Sequence, residues 1–279
     1  MRPMMTPKRL RAVSTVLAMY LSACAASHPV DPQSSGSKPI PDPQNPKPTI
    51  VLVHGAFADA SSWSGVMQRL QGRGYTVIAP PNPLRGADSD AAVIASVLKT
   101  VDGPVVLVGH SYGGIVISEA AQGNAAVKAL VYIAAFVPDT GESVATIGGK
   151  FPPTKFGPDK LLPVPTAAGG ADLYLKRDVF HELFASDVPE GTATIMAASQ
   201  RPIDGGAIGA AFAGTPAWKS IPSWALVAGS DNMISPAAET SMAERAHAHI
   251  VHVDASHAVA VSRPDAVVEI ILDAAHSVH

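Results

Sequence analysis

Six short, mainly apolar runs, at 49–53, 75–79, 104–109, 127–134, 223–228 and 250–253, alternate with segments of helical apolar spacing. Runs without polar alternation are those of strands buried on both faces, and strand–helix alternation brings them into a parallel sheet. Between the first two runs, Ser61 and Ser62 precede Trp63, Val66, Met67 and Leu70, an i, i+3, i+4, i+7 face closed by Gly72 and Gly74. Further helices are expected near 88–101, 112–122, 236–246 and 264–275. The fold class that follows is α/β: a mainly parallel sheet of about six strands with helices on both faces. Residues 138–218 interrupt the rhythm for too long to be a plain loop. There Leu173, Val179, Phe180, Leu183 and Phe184 stand near helical spacing, so a helical unit is expected, placed as a lid over the carboxyl ends of the strands.

Composition narrows the function. With 15% charged residues and 47% hydrophobic, the chain is too apolar for disorder and lacks the basic excess of a nucleic-acid binder. Fourteen basic and twenty-one acidic residues lie over 49–279, a net charge of −7, so polyanions are not drawn to this part. A single Cys excludes an intramolecular disulfide framework and a Cys-rich metal site.

The N-terminal residues read as an address. Arg2, Lys8, Arg9 and Arg11 precede an uncharged stretch at 12–23, which is shorter than the roughly 20 residues of a bilayer span. A basic start followed by a short apolar run is the pattern of a secretory signal peptide. Leu21-Ser22-Ala23-Cys24 resembles the lipobox of bacterial lipoproteins, the alternative being an ordinary cleaved peptide with a Cys near its end. The resemblance implies cleavage before Cys24, lipidation of that thiol and export to the bacterial cell envelope. Ala25, in place of Asp, implies the outer membrane. Residues 25–48 hold seven prolines and read as an extended spacer. The expected organisation is a signal peptide over 1–23, a lipidated Cys and spacer over 24–48, and one domain over 49–279.

Gly109-His110-Ser111-Tyr112-Gly113 lies between an expected strand and an expected helix. A five-residue pattern of this kind is common by chance, but that setting is the one a nucleophile elbow needs, because the turn must push the Ser hydroxyl out of the sheet's top. Gly109 and Gly113 leave room where a Cβ would press on the turn. A serine hydroxyl needs a base to take its proton, and the base needs an orienting partner. Of the six His residues beyond the lid, only His257 stands just after the last expected strand in a loop before a helix.

His54-Gly55-Ala56-Phe57, the Gly109–Gly114 stretch, Gly229-Ser230-Asp231 and Ser256-His257 occur in the order found in the α/β-hydrolase fold family. Residues 50–279 resemble that family, and in particular its small esterase and hydroxynitrile-lyase branch. The resemblance implies a catalytic triad of nucleophile Ser111, base His257 and acid Asp231. Asp139, at a position some members use, and Asp254, nearer His257 in sequence, are the other acids in view. It also implies an oxyanion hole from the amides of Tyr112 and Ala56, with Phe57 the neighbouring candidate. His54 and His110 are expected to fix backbone rather than react.

The implied activity is serine-dependent cleavage of carboxylic esters through an acyl-enzyme, with no metal or organic cofactor. Dehalogenases and epoxide hydrolases of this fold carry Asp at the elbow, and the cyanohydrin-cleaving lyases carry Lys after the catalytic His, where this chain has Ala258. A cofactor-free haloperoxidase or acyltransferase shares the same triad, and some members are non-catalytic binding proteins. The lid offers Phe151, Phe156, Tyr174, Phe180, Phe184 and Phe212 as an apolar wall and no basic cluster. The expected partner is therefore a small or medium uncharged ester, with the membrane reached through the lipid anchor.

Overall fold

The computed structural model describes residues 47–278. The expected signal peptide, Cys24 and the spacer up to residue 46 lie outside the described residues. The chain runs through β1 (Thr49–Val53), α1 (Ser64–Gly72), β2 (Val77–Ile78), α2 (Ala87–Leu98), β3 (Val105–Ser111), α3 (Gly113–Ala120) and β4 (Val127–Ala135). A cap follows: α4 (Val144–Gly148), β5 (Leu161–Pro165), β6 (Ala171–Leu175), α5 (Arg177–Phe184), α6 (Glu190–Ser199), β7 (Ile203–Asp204) and α7 (Gly205–Gly209). The chain then returns through β8 (Ser223–Ala228), α8 (Pro236–Arg245), β9 (His249–Val253), α9 (Val259–Ser262) and α10 (Pro264–His276).

The six expected strands form one sheet in the order β2-β1-β3-β4-β8-β9, every neighbouring pair parallel. Side chains alternate between its two faces. Val51, Val53, Val105 and Leu107 pack with α2, α3 and the cap, whereas Ile50, Leu52, Val106, Val108 and Val131 pack with α1 and α10. Both faces are thus dry, which is why the runs carry no polar alternation. The outer strand β2 is shorter than expected, two residues instead of five.

The cap carries the expected helices and also a three-stranded antiparallel sheet, β5-β6-β7, that helical spacing does not foretell. Leu173 belongs to β6, where it pairs with Pro163 and Ile203, rather than to the helix that holds Phe180, Leu183 and Phe184. The hairpin between β5 and β6 closes on Gly169 and Gly170, both at positive φ, with the Thr166 N–H donating to Gly170 O. Phe180, Phe184 and Phe212 are buried in the core shared by the cap and the sheet, so they are packing residues.

Candidate active site

The parallel sheet brings the carboxyl ends of β3, β8 and β9 to one edge, and the candidate residues follow from those ends. Ser111 is the last residue of β3 and has φ 54°, a left-handed conformation that a residue with a Cβ adopts only under strain. Close approach enforces the turn: a Cβ at Gly109 would stand 2.6 Å from Gly113 O, and one at Gly113 would stand 2.5 Å from Val53 O. Gly55 is required from the other side, since a Cβ there would meet the Ser111 Cβ at 2.6 Å. The Ser111 hydroxyl takes no hydrogen bond among the described residues and lines a cavity.

Asp231 and His257 meet. His257 Nδ1 lies 2.5 Å from Asp231 Oδ2, and both side chains are buried. The other oxygen of Asp231 accepts the Met233 N–H at 2.6 Å and the Ile234 N–H at 3.0 Å, so the turn after β8 holds the carboxylate in place. A carboxylate on Nδ1 fixes the proton there and leaves Nε2 as the free, basic nitrogen. The His257 ring packs 4.7 Å from that of His110, the neighbour of Ser111, and Phe184 presents an edge contact to it at 4.9 Å.

Neither alternative acid reaches the base. Asp139 forms an ion pair with Lys219 at 2.6 Å, and Asp254 accepts from Ser230 Oγ at 2.8 Å. His54 and His110 do fix backbone. The Asn82 N–H donates to His54 Nε2, so His54 carries its proton on Nδ1 and donates it to Gly55 O at 2.9 Å. His110 Nε2 donates to His257 O at 2.9 Å. Burial lowers the basicity of both rings, and for His110 the neighbouring His257 adds to the effect, so both stay neutral.

The amides separate in the same way. The Phe57 N–H is taken by Arg201 O, whereas those of Ala56 and Tyr112 donate to no protein atom among the described residues. Both belong to residues that line the cavity with Ser111. This cavity, about 340 Å³, runs from Ser111 between Phe57, Phe156, Ile147, Ile208 and Met233, and none of its lining residues is charged. Among the described residues no cluster of three or more His, Cys, Asp or Glu side chains is arranged to hold a metal ion.

Sequence reasoning overlooks two groups at the site. Asp187, in the cap, accepts from the Ser256 hydroxyl and so ties down the loop of His257. Glu239, in the first turn of α8, buries its carboxyl against the end of β8. Neither has a local signal, because each becomes buried only when distant elements pack.

Comparison with known proteins agrees with this architecture. A family model described as alpha/beta hydrolase family matches residues 50–270. The chain is 29% identical over 250 residues to the alpha/beta hydrolase nvfD of Aspergillus novofumigatus, covering 82% of this chain and 97% of that one. It is 27% identical over 252 residues to a pyrethroid hydrolase of Sphingobium wenxiniae, covering 80% and 86%. Among solved structures, a pyrethroid hydrolase from Sphingobium faniae superposes with a TM-score of 0.70 at 24% identity, over 82% of this chain and 98% of that one, a likeness of fold.

Proposed function

The chain belongs to the alpha/beta hydrolase family, and we propose that it hydrolyses carboxylic esters through a serine nucleophile. The reading is carried by the 2.5 Å contact of His257 Nδ1 with Asp231, at the sheet edge where β3 ends in the strained Ser111. Ser111 Oγ attacks the ester carbonyl carbon while His257 Nε2 takes the hydroxyl proton. The amides of Ala56 and Tyr112 stabilise the oxyanion, and loss of one such donor costs about 3 kcal/mol of transition-state stabilisation. The intermediate collapses to an acyl-enzyme as the imidazolium passes its proton to the departing alkoxide. Water, deprotonated by the same nitrogen, then attacks the acyl carbonyl, and Ser111 leaves with the proton returned. Asp231 remains ionised throughout and stabilises the imidazolium.

An uncharged, apolar cavity supports uncharged esters of small to medium size as substrates. The names of relatives support hydrolysis as the reaction: a pyrethroid hydrolase, a carbendazim hydrolyzing esterase of a Nocardioides species and methylesterase 8 of Arabidopsis thaliana. Labelling with a fluorophosphonate, wild type beside Ser111→Ala, tests the nucleophile. Label is expected only on the wild type, and labelling that survives the substitution removes Ser111 from the mechanism. A series of p-nitrophenyl esters of rising chain length tests the substrate class.

We further propose that residues 1–23 are a signal peptide, that Cys24 carries the lipid and that 24–48 tether the hydrolase domain to the bacterial outer membrane. The basic start, the uncharged stretch and Leu21-Ser22-Ala23-Cys24 support this. Radiolabelled palmitate is expected in the wild type and absent from Cys24→Ala; incorporation into both ends the proposal.

A further inference from the structure

Glu239 is 3% exposed, and its carboxyl points into the turn that carries Asp231. Glu239 Oε2 accepts the Ala228 N–H at 3.1 Å, and Ala228 O in turn accepts the Asp231 N–H at 3.2 Å. The two carboxyls therefore converge on one turn, tied to the N–H and the C=O of the same residue, Ala228, by Glu239 Oε2 and the Asp231 amide. Glu239 Oε1 is buried and has no hydrogen-bond partner, an arrangement that costs free energy for an acceptor.

Two carboxylates buried on one turn do not readily both ionise, so one of them holds a proton. The surrounding donors decide which. Asp231 receives the N–H groups of Met233 and Ile234 and faces His257 Nδ1, three donors that favour its anion. Glu239 receives a single backbone N–H. Burial first, and then the charge of Asp231, push the Glu239 carboxyl well above the usual carboxylate range. With the proton on Oε1, the orphan atom becomes a donor, and the Asp231 carboxylate is the acceptor that the same turn offers.

We propose that Glu239 is a positioning residue: a neutral carboxylic acid that donates from Oε1 to the Asp231 carboxylate and holds it in line with His257 Nδ1. The proposal rests on the reading of Ser111, His257 and Asp231 as a triad. Glu239 touches no reacting atom and acts through Asp231. A fourth donor spreads the negative charge of Asp231 and keeps it from taking the imidazole proton, so that the carboxylate stays ionised while His257 cycles. Glutamine can reproduce the arrangement, its amide oxygen accepting from Ala228 and its N–H donating to Asp231, whereas leucine fills the space without donating.

The test uses the full chain, p-nitrophenyl butyrate as the probe ester, and the variants Glu239→Gln and Glu239→Leu. In wild-type protein labelled with carboxyl-13C glutamate, the resonance that Glu239→Gln abolishes is expected at the protonated position at neutral pH. Glu239→Gln is expected to keep kcat within about threefold, while Glu239→Leu loses about tenfold to about a hundredfold in kcat, the worth of one hydrogen bond to a charged group, with KM far less changed. Fluorophosphonate labelling of Ser111 should slow by the same factor. An ionised Glu239 resonance at neutral pH overturns the proposal, as does wild-type kcat in Glu239→Leu or an equal loss in Glu239→Gln. If Glu239→Leu fails to fold, the wild-type resonance decides. A wild type that neither turns over nor labels at Ser111 overturns the triad reading instead, and the resonance still reports whether Glu239 is neutral.

Discussion

The backbone N–H of Phe57 donates to the carbonyl oxygen of Arg201 at 3.0 Å, which joins the loop after β1 to the cap. Phe57 sits at φ 59°, so the cap holds this residue in a left-handed conformation that its side chain disfavours. An amide already bound to a carbonyl is not free to stabilise an oxyanion. The bond therefore separates Phe57, the neighbouring candidate, from Ala56, the donor that the family resemblance implies.

Ala56→Pro, which removes that amide hydrogen, is expected to lower kcat by about a hundredfold or more with a smaller change in KM, the signature of a donor used in the transition state. Steady-state kinetics with a p-nitrophenyl ester, on protein shown by circular dichroism to be folded, measures it. An unchanged kcat would move the donor elsewhere.

Asp231→Asn should be far more damaging than Asp139→Asn. Asn places an amide against His257 Nδ1 and favours the tautomer with its proton on Nε2, which is useless as a base; in serine proteases the equivalent change costs about ten-thousandfold. Asp139 is occupied by Lys219 at 2.6 Å, so its substitution touches no reacting group. Equal losses in kcat for the two variants would reject the assignment.

Much of this site was legible because the chemistry stands at strand ends. The elbow glycines, Ser111 and His257 each follow a run whose burial pattern already marks it as a strand, and a parallel sheet places all such ends on one edge. What escaped depends on packing between distant elements. Nothing near Phe57 announces Arg201, 144 residues away, and Glu239 stands among alanines on a helix where an acid ordinarily faces water. The hairpin β5-β6 was hidden for another reason. Its first strand, Leu161–Pro165, contains prolines that read as loop, and only Gly169-Gly170 marked the turn.

The base of the cap should weaken at acid pH through Glu142. Although burial pushes its carboxyl up, hydrogen bonds from Arg245, Lys150 and the Asp139 N–H outweigh burial and lower it to about 2. A carboxyl depressed in the folded state stabilises that state above its unfolded value, near 4.5, and the contribution disappears as pH falls from there toward about 2. Urea unfolding of wild type beside Glu142→Gln is expected to differ by about 1–3 kcal/mol at neutral pH, and the difference should close below pH 4.5. Parallel stability curves down to the acid limit would contradict this.

Asp187 should matter to catalysis although it lies in the cap. Its Oδ1 accepts the Ser256 hydroxyl, and Arg263 stands 3.7 Å from Oδ2. Burial opposes its ionisation, but the hydrogen bond from the Ser256 hydroxyl and the charge of Arg263 prevail and keep the carboxyl below the usual range. Ser256 is fully buried and immediately precedes His257, while the Ala258 N–H donates to Phe184 O at 2.8 Å on the other side. The cap thus grips the base loop on both flanks of the imidazole. Asp187→Ala leaves the Ser256 hydroxyl with Phe184 O as its one acceptor, at 3.3 Å, and frees the loop to rotate the ring away from its line with Asp231. Loss of one such bond to a charged group predicts a fall in kcat of about tenfold, with KM less affected, and a matching delay in fluorophosphonate labelling. Asp187→Asn retains an acceptor for Ser256 and should recover most of the rate. A labelling rate in Asp187→Ala equal to that of wild type would show that the loop holds its place without the cap.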